Sequence, residues 1–351
     1  MPEGRDTMRG IGEQFDTWQN VLESLPLLEK DVSVNFQVRE YDEVIFTGAG
    51  SSYHLAVAAA AAFSRMTGEQ ASSYPASELI FFHQYHLKRE RKYLTVYFSR
   101  SGATTETLLA LDTMKNLYRT TAIGITCDPF SKLSSAVDVA FPVPNCVEES
   151  FIMTKSFTSM LVVSLMFSAC YGGKFTYMTY LEHLPEEGRA SFELQRRVID
   201  SLLKEYLPER VTFLGGGPFL GLAREAALKL DEMSLTRSQA FTPLEIRHGP
   251  KAGLKQGDLI VMMMSNSARL AEIQLLHELR EQGVYTLILS DHRDKEFEEL
   301  ADNLILAGRG LSEDIRGVLY MPFLQYLGCR AGLMRGLDPD RPGHLSRVVQ
   351  F

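Results

Sequence analysis

The chain of 351 residues carries the same series of segments twice. VIFTGAG at 44–50 is echoed by VTFLGGG at 211–217, LTVYFSRSGA at 94–103 by LIVMMMSNSA at 259–268, and TAIGITCD at 121–128 by YTLILSD at 285–291. The offsets are 167 for Gly48 and Gly215, 166 for Ser99 and Ser265, and 163 for Asp128 and Asp291. Solenoid repeats are only roughly 20 to 50 residues long, so this period indicates a duplicated domain.

Within each copy, short β-rich runs end in small residues and are followed by longer helix-forming runs. That alternation is typical of a parallel sheet with crossover helices. It predicts strands at 44–47, 94–98, 122–126 and 137–141 in the first copy. We therefore expect two tandem α/β domains, each a flavodoxin-like sheet between two helical layers. The polar stretch 185–207 places the boundary near 195, giving domains 1–195 and 196–351.

The segment 8–28 carries Ile11, Phe15, Trp18, Leu22 and Leu25 at helical spacing. We predict an amphipathic helix that packs against another surface, either within the chain or in an oligomer.

The composition excludes several classes of protein. A net charge of −8 is opposite to what nucleic-acid binding requires, so we expect no nucleic-acid partner. The N-terminus lacks an apolar signal region and no apolar tract reaches the roughly 20 residues of a membrane span, so we expect no membrane partner. The four cysteines are widely spaced, and reduced thiols in a cytoplasmic protein are the simplest interpretation.

Two strand-to-helix turns in the first copy are candidate ligand sites. Gly48 to Ser52, with Ser51 and Ser52 at the helix start, lies where open α/β sheets bind ligands, although such turns also occur for close packing alone. The segment 99–106 places several hydroxyls beside the unsatisfied amides of a helix start, which suits a phosphate ester. Helix capping is the alternative interpretation.

Glu225, Lys229 and Glu232 follow one another at i, i+4 and i+7 on a predicted helix and share one face. Solvated ion pairs are the ordinary explanation of this spacing. His248 lies in the polar segment LEIRHGP, where an imidazole can transfer protons near neutral pH.

The motifs GAGSSY, SRSGATTE, ESFIMTKSF, EAALKLDE and LEIRHGP together resemble the SIS family of sugar-phosphate proteins. The resemblance covers roughly residues 41 to 351. It is strongest to the isomerase half of glucosamine-6-phosphate synthase and to tagatose-6-phosphate ketose/aldose isomerases.

The resemblance implies a role for each matched residue. The phosphate would be held by the hydroxyls and amides of Ser51, Ser52, Ser99, Arg100, Ser101, Gly102 and Thr104. Arg100 replaces the usual glutamine. Because the second copy has fewer hydroxyls at its matching loop, we expect one phosphate site per chain.

Glu232 would move a proton between two adjacent sugar carbons, with Lys229 beside it. His248 would assist ring opening in the neighbouring subunit's site, which implies a homodimer with shared active sites.

Glu148, Thr154 and Lys155 would line the sugar pocket, although Glu148 also suits a helix start. Arg347 stands where the synthase has a Schiff-base lysine, and a guanidinium cannot form that imine. The chemistry needs no metal and no cofactor, so we expect neither.

The expected function is aldose/ketose isomerisation of an amino-hexose 6-phosphate, or of a hexose 6-phosphate, with ammonia released from the amino sugar. A fructosamine-6-phosphate deglycase and a non-catalytic sugar-phosphate sensor are the alternatives. The chain has no glutaminase region, so we expect it to obtain no ammonia from glutamine. Sensors normally carry a DNA-binding helix-turn-helix ahead of one SIS domain, and the roughly 40 residues before the first strand are too few and too acidic for one.

Overall fold

The computed structural model describes residues 4–343, apart from the side chains at positions 175 and 297. These residues form two compact units. Residues 13–185 are called the N-terminal unit, and residues 4–12 together with 186–343 are called the C-terminal unit.

The N-terminal unit is built on a parallel five-stranded sheet in the order β2-β1-β3-β4-β5. Its strands are β1 (Glu43–Gly48), β2 (Ala71–Pro75), β3 (Lys92–Phe98), β4 (Arg119–Thr126) and β5 (Val139–Pro142). The C-terminal unit repeats this order with β7-β6-β8-β9-β10. Its strands are β6 (Arg210–Leu214), β7 (Arg237–Phe241), β8 (Leu259–Met263), β9 (Tyr285–Ser290) and β10 (Asn303–Leu306). The order 2-1-3-4-5 in both units is that of flavodoxin-like folds.

Helices connect the strands throughout both units. They are α1 (Arg5–Glu23), α2 (Leu25–Asn35), α3 (Ser51–Thr67), α4 (Ala76–Phe81), α5 (His83–His86), α6 (Thr105–Leu117), α7 (Lys132–Ala136), α8 (Lys155–Tyr171), α9 (Phe175–Glu182), α10 (Leu184–Glu205), α11 (Phe219–Ser234), α12 (Arg269–Arg280), α13 (Lys295–Glu298) and α14 (Glu313–Met334). No helix within residues 4–343 is long and apolar enough to cross a membrane.

Helices cover both faces of the first sheet. Neighbouring residues of a strand point to opposite sides, so each central strand packs against both helical layers. Ile45 of β1 packs into a core with α4 and α6. Phe46, the next residue, contacts Phe63 of α3 with ring centroids 5.5 Å apart. Phe63 in turn stacks on Phe167 of α8 at 5.9 Å. The expected architecture, with a parallel sheet between helical layers, is confirmed.

The predicted N-terminal helix is confirmed as α1, which ends at Glu23. Its apolar side chains Phe15 and Trp18 are buried. The Trp18 indole Nε1 donates a 2.9 Å hydrogen bond to Thr158 Oγ1 on α8. The amphipathic face therefore packs within the chain.

The expectation of four reduced cysteines is wrong for two of them. Cys127 and Cys146 form a disulfide with their Cα atoms 5.7 Å apart. Cys127 directly follows β4 and Cys146 follows the neighbouring β5, and parallel neighbours end at the same edge of a sheet. The pairing of these strands brings together two cysteines that are 19 residues apart in the sequence. Cys170 and Cys329 are free thiols.

Helices α11 and α14 of the C-terminal unit approach each other closely through glycine. A Cβ atom added at Gly332 of α14 would lie 2.1 Å from the Met233 carbonyl oxygen of α11. Gly328, one turn earlier, would meet Met233 Cε at 2.7 Å. The position of α11 therefore depends on the absence of side chains along this face of α14.

Substitution Gly332→Ala is expected to lower the free energy of unfolding of the C-terminal unit by about 1–3 kcal/mol, because the backbones must separate. The matched control is Gly12→Ala in α1, where an added Cβ meets no atom within 4 Å. That control should stabilise the protein by about 0.5–1 kcal/mol through helix propensity. Urea denaturation of both variants measures the two changes, and equal midpoints would contradict the packing argument.

Candidate active site

The first group of predicted residues lies at the carboxyl edge of the first sheet. Strands β1 and β3 are paired neighbours, with Thr47 opposite Tyr97. The chain order reverses between them, and ligands bind at such switch points in open α/β sheets. The turn after β1 leads into α3, where Ser51 and Ser52 are buried in the first turn. The loop after β3 leads into α6. The topology thus brings both predicted loops to the same edge.

The loop after β3, residues 99–104, is folded around its own hydroxyls. The Oγ of Ser99 and the Oγ1 of Thr104 are 3.0 Å apart and hydrogen-bonded. The Ala103 amide donates to Ser101 Oγ at 3.2 Å, and the Gly102 amide donates to the Ser99 carbonyl at 3.1 Å. Gly102 has φ +59°, and an added Cβ would lie 2.1 Å from Ser131 Oγ. Only glycine fits this turn, which fixes the course of the loop.

Two backbone amides of this loop have donor capacity to spare. Neither the Arg100 amide nor the Ser101 amide donates a hydrogen bond to any atom of residues 4–343. Adjacent free amides in the loop between a strand and a helix form a concave site that binds oxyanions. The loop can therefore accept the oxygens of a phosphate group.

Glu148 is turned towards the start of α8. Its buried carboxylate accepts hydrogen bonds of 2.6 Å from both the amide and the Oγ1 of Thr154. It also accepts a 2.5 Å bond from Ser156 Oγ. The Arg100 guanidinium reaches the same carboxylate at 3.5 Å and the Phe151 carbonyl at 3.1 Å. Glu148 thus anchors the start of α8 and links it to the loop after β3.

Lys155 and Thr154 are placed by contacts inside the N-terminal unit. The Lys155 ammonium lies 2.7 Å from Glu13 Oε2 on α1, and its side chain is 12% exposed. Thr154 is buried at the residue preceding α8. Sequence analysis had not singled out Glu13, since no motif connects it to a residue 142 positions away. Arg347 lies outside the described residues.

The second group of predicted residues lies on α11 in the C-terminal unit. Lys229 is fully buried, and its Nζ is 3.4 Å from Glu225 Oε1 and 2.5 Å from Glu232 Oε2. Glu225 is also buried, whereas the side chain of Glu232 is 18% exposed. The i, i+4 and i+7 spacing has therefore produced a buried charge cluster with only Glu232 open to solvent, and the interpretation as solvated surface pairs fails.

The charge state of Lys229 follows from two opposing effects. Burial lowers the pKa of the ammonium, but the carboxylates of Glu225 and Glu232 raise it by more, so the net pKa is raised. Lys229 is consequently a protonated donor at neutral pH. Such a cation holds Glu232 by a charge-assisted hydrogen bond and leaves the second carboxylate oxygen for other contacts.

His248 is exposed and follows a short 3₁₀ turn, Glu245–Arg247. The segment is attached to α12 by Glu278, whose carboxylate binds Arg247 Nη2 at 2.8 Å and Lys251 Nζ at 2.7 Å. These ion pairs flank His248 and lower the pKa of Glu278, with the Lys251 hydrogen bond as the largest cause. The imidazole is presented on the surface of its own unit.

Comparison with known proteins agrees with these features. The SIS domain family model matches residues 37–169. A D-galactosamine-6-phosphate deaminase of Shewanella is 26% identical over 98% of this chain and 90% of that protein. The crystal structure of glucosamine-6-phosphate deaminase from Thermotoga maritima is 31% identical, with a TM-score of 0.79 over 98% of this chain and 99% of that one. Tagatose-6-phosphate ketose/aldose isomerase from Escherichia coli, at 22% identity, shares the fold with a TM-score of 0.85 over 97% of this chain and 95% of that one.

The protein therefore belongs to the SIS domain family, as its motifs predict, and contains two tandem SIS-type α/β domains.

Proposed function

We propose that this protein is a phosphosugar isomerase that converts an amino-hexose 6-phosphate into a ketose 6-phosphate and ammonia. The observation that carries the proposal is the Glu232 carboxylate, partly open to solvent and hydrogen-bonded to a buried ammonium. Full-length similarity to two amino-sugar-phosphate deaminases supports the substrate class. The loop at 99–104 supplies donors for the phosphate.

The proposed reaction begins with opening of the sugar ring, which places an aldehyde at C1 and makes the hydrogen on C2 acidic. Glu232 removes this proton and returns it to C1, while the C1 oxygen gains a proton and the amine nitrogen loses one, so one carboxylate serves both carbon centres. The product carries an imine at C2. Water adds to C2, the carbon–nitrogen bond breaks, and ammonia leaves with the ketose phosphate as the second product. The last step is a hydrolysis.

Two further properties belong to the proposal. His248 opens the ring in the site of a second copy, so that the active protein is a homodimer. Its exposed position on its own unit supports this arrangement. The protein acts in the cytoplasm, where its substrate class is found. Disulfides are rare in that reducing compartment, so the bond between Cys127 and Cys146 would be an exception there.

Replacing Glu232 with Gln should lower kcat by at least about 100-fold, because the amide cannot accept the C2 proton. Binding of glucosamine 6-phosphate or galactosamine 6-phosphate should remain. The matched control is Asp231→Asn, since Asp231 is a neighbouring carboxylate that instead accepts a 2.8 Å bond from Ser238 Oγ. Ammonia and ketose phosphate release measure turnover. Unchanged turnover in Glu232→Gln would remove it as the base, and wild-type binding without turnover of any amino-hexose or fructosamine phosphate would favour a sensor.

Replacing Ser99 and Thr104 together with Ala should raise KM for phosphorylated amino sugars at least about tenfold. The double change removes both partners of one hydrogen bond and so avoids leaving one hydroxyl unsatisfied. Ser135→Ala is the control, because Ser135 is exposed and, within residues 4–343, its Oγ donates only to the Ser131 carbonyl. An equal loss for unphosphorylated analogues would refute the phosphate assignment.

Mixing two inactive variants tests the shared site. If His248 serves the other subunit, dimers of one Glu232→Gln chain and one His248→Ala chain contain one intact site. Random mixing should then restore about a quarter of wild-type activity. Co-refolding the variants in equal amounts and assaying ammonia release measures this recovery. No recovery in dimers shown to be mixed would place His248 in the site of its own chain.

A further inference from the structure

The C-terminal unit contains a second loop of the same construction. Residues 265–268 join β8 to α12, and β8 occupies the same place in its sheet as β3 does in the first. Ser265 lies 166 residues after Ser99. The residues that match Arg100 and Ser101 are therefore Asn266 and Ser267.

In this second loop the two amides share an acceptor. The amides of Asn266 and Ser267 donate to Glu313 Oε1 at 2.5 and 3.1 Å. Ser267 Oγ approaches the same carboxylate, 3.4 Å from Oε1 and 3.5 Å from Oε2. Adjacent amides that converge on one carboxylate oxygen form an oxyanion-binding arrangement. Here the anion is a side chain from the start of α14, 47 residues further along the chain.

A buried cation lies beside the same loop. Arg316, which is fully buried, donates from Nη2 to the Met264 carbonyl at 2.9 Å. Its Nη atoms lie 3.4 Å from Asn266 Oδ1, and Nη1 pairs with Asp291 at 3.1 Å. Its Nε is buried and has no hydrogen-bond partner within residues 4–343. The guanidinium therefore adds positive charge directed at the loop.

We propose that residues 265–268 form a second oxyanion site whose ligand is the Glu313 carboxylate, and that this site takes phosphate when the carboxylate is removed. The side chain thus blocks the second copy of an inherited anion site. One consequence is that each chain has a single loop, residues 99–104, available to a phosphate ester. In the first loop the nearby carboxylate, Glu148, bonds instead to the start of α8.

The charges facing the loop are compatible with a replacement anion. Arg316 and Arg269 supply two positive charges, and Asp291 and Asp294 supply two negative charges. Glu272 accepts bonds from the amide and Oγ of Ser265 at 2.8 and 3.0 Å, and burial raises its pKa to about 7. A phosphate monoanion restores the single negative charge that the Glu313 carboxylate contributed.

The test compares Glu313→Ala with wild type in equilibrium dialysis against labelled inorganic phosphate at pH 6.5. The variant should bind about one more phosphate per chain at millimolar concentration. Glu313→Gln should bind no more than wild type, because its amide oxygen still accepts from the two loop amides. Glu281→Ala removes the same charge at the exposed far end of α12 and is the control. The difference between variant and wild type is the readout, so the result does not depend on how many phosphates the first loop binds.

A second measurement, thermal unfolding with and without phosphate, tests the proposal if Glu313→Ala is less stable than wild type. Phosphate should raise its thermal unfolding midpoint by more than it raises that of wild type or Glu281→Ala. Glu313→Ser, which keeps a polar residue at the helix start, repeats the measurement if Glu313→Ala does not fold. A folded variant with no additional bound phosphate, or an unstable one with the same phosphate response as Glu281→Ala, would overturn the proposal.

Discussion

The amides of a loop between a strand and a helix need acceptors, and in this protein the same need arises twice at matching places. After β8 the chain satisfies it internally, through a carboxylate from the start of α14. After β3 the corresponding amides donate to no atom of residues 4–343. An unsatisfied polar group has a free-energy cost unless water or a ligand meets it. The two copies therefore have the same loop backbone but differ in whether a carboxylate contacts its amides. The loop after β8 makes a structural contact with Glu313, whereas the loop after β3 is open to a ligand.

The buried charged side chains of α11 are stabilised by helix packing as well as by their ion pairs with one another. A lone buried ammonium would lose its hydration at a cost of several kcal/mol, which two neighbouring carboxylates offset only if the geometry is good. The close approach of α14 through Gly328 and Gly332 keeps water from the buried side of this helix. Lys229 can then remain protonated in the interior. A proton acceptor held by such a cation stays in one rotamer, so its position is fixed before substrate arrives.

In the first sheet the sequence predicted the central strands β1, β3 and β4 and the edge strand β5, but it did not predict the other edge strand, β2. The central strands β1, β3 and β4 are rich in buried apolar residues, whereas β2 is ASSYP and pairs with β1 alone among the described strands. An edge strand has less to bury, so its composition carries little signal. Side-chain contacts were likewise predicted only where the two partners are close in sequence. The pairing of Lys229 with Glu232 was predicted from helical spacing, but Glu13 and Glu313 reach their partners from remote helices, and only the tertiary fold brings them there.

The bond between Cys127 and Cys146 makes a closed ring of the chain that contains β5, the outermost strand of the first sheet. A strand at the edge of a sheet ordinarily frays first and can pair with another molecule. In the oxidised chain both ends of this strand are tethered to the end of β4, so the distance it can move from β4 is limited by the ring. Reduction would return that freedom to this edge of the sheet.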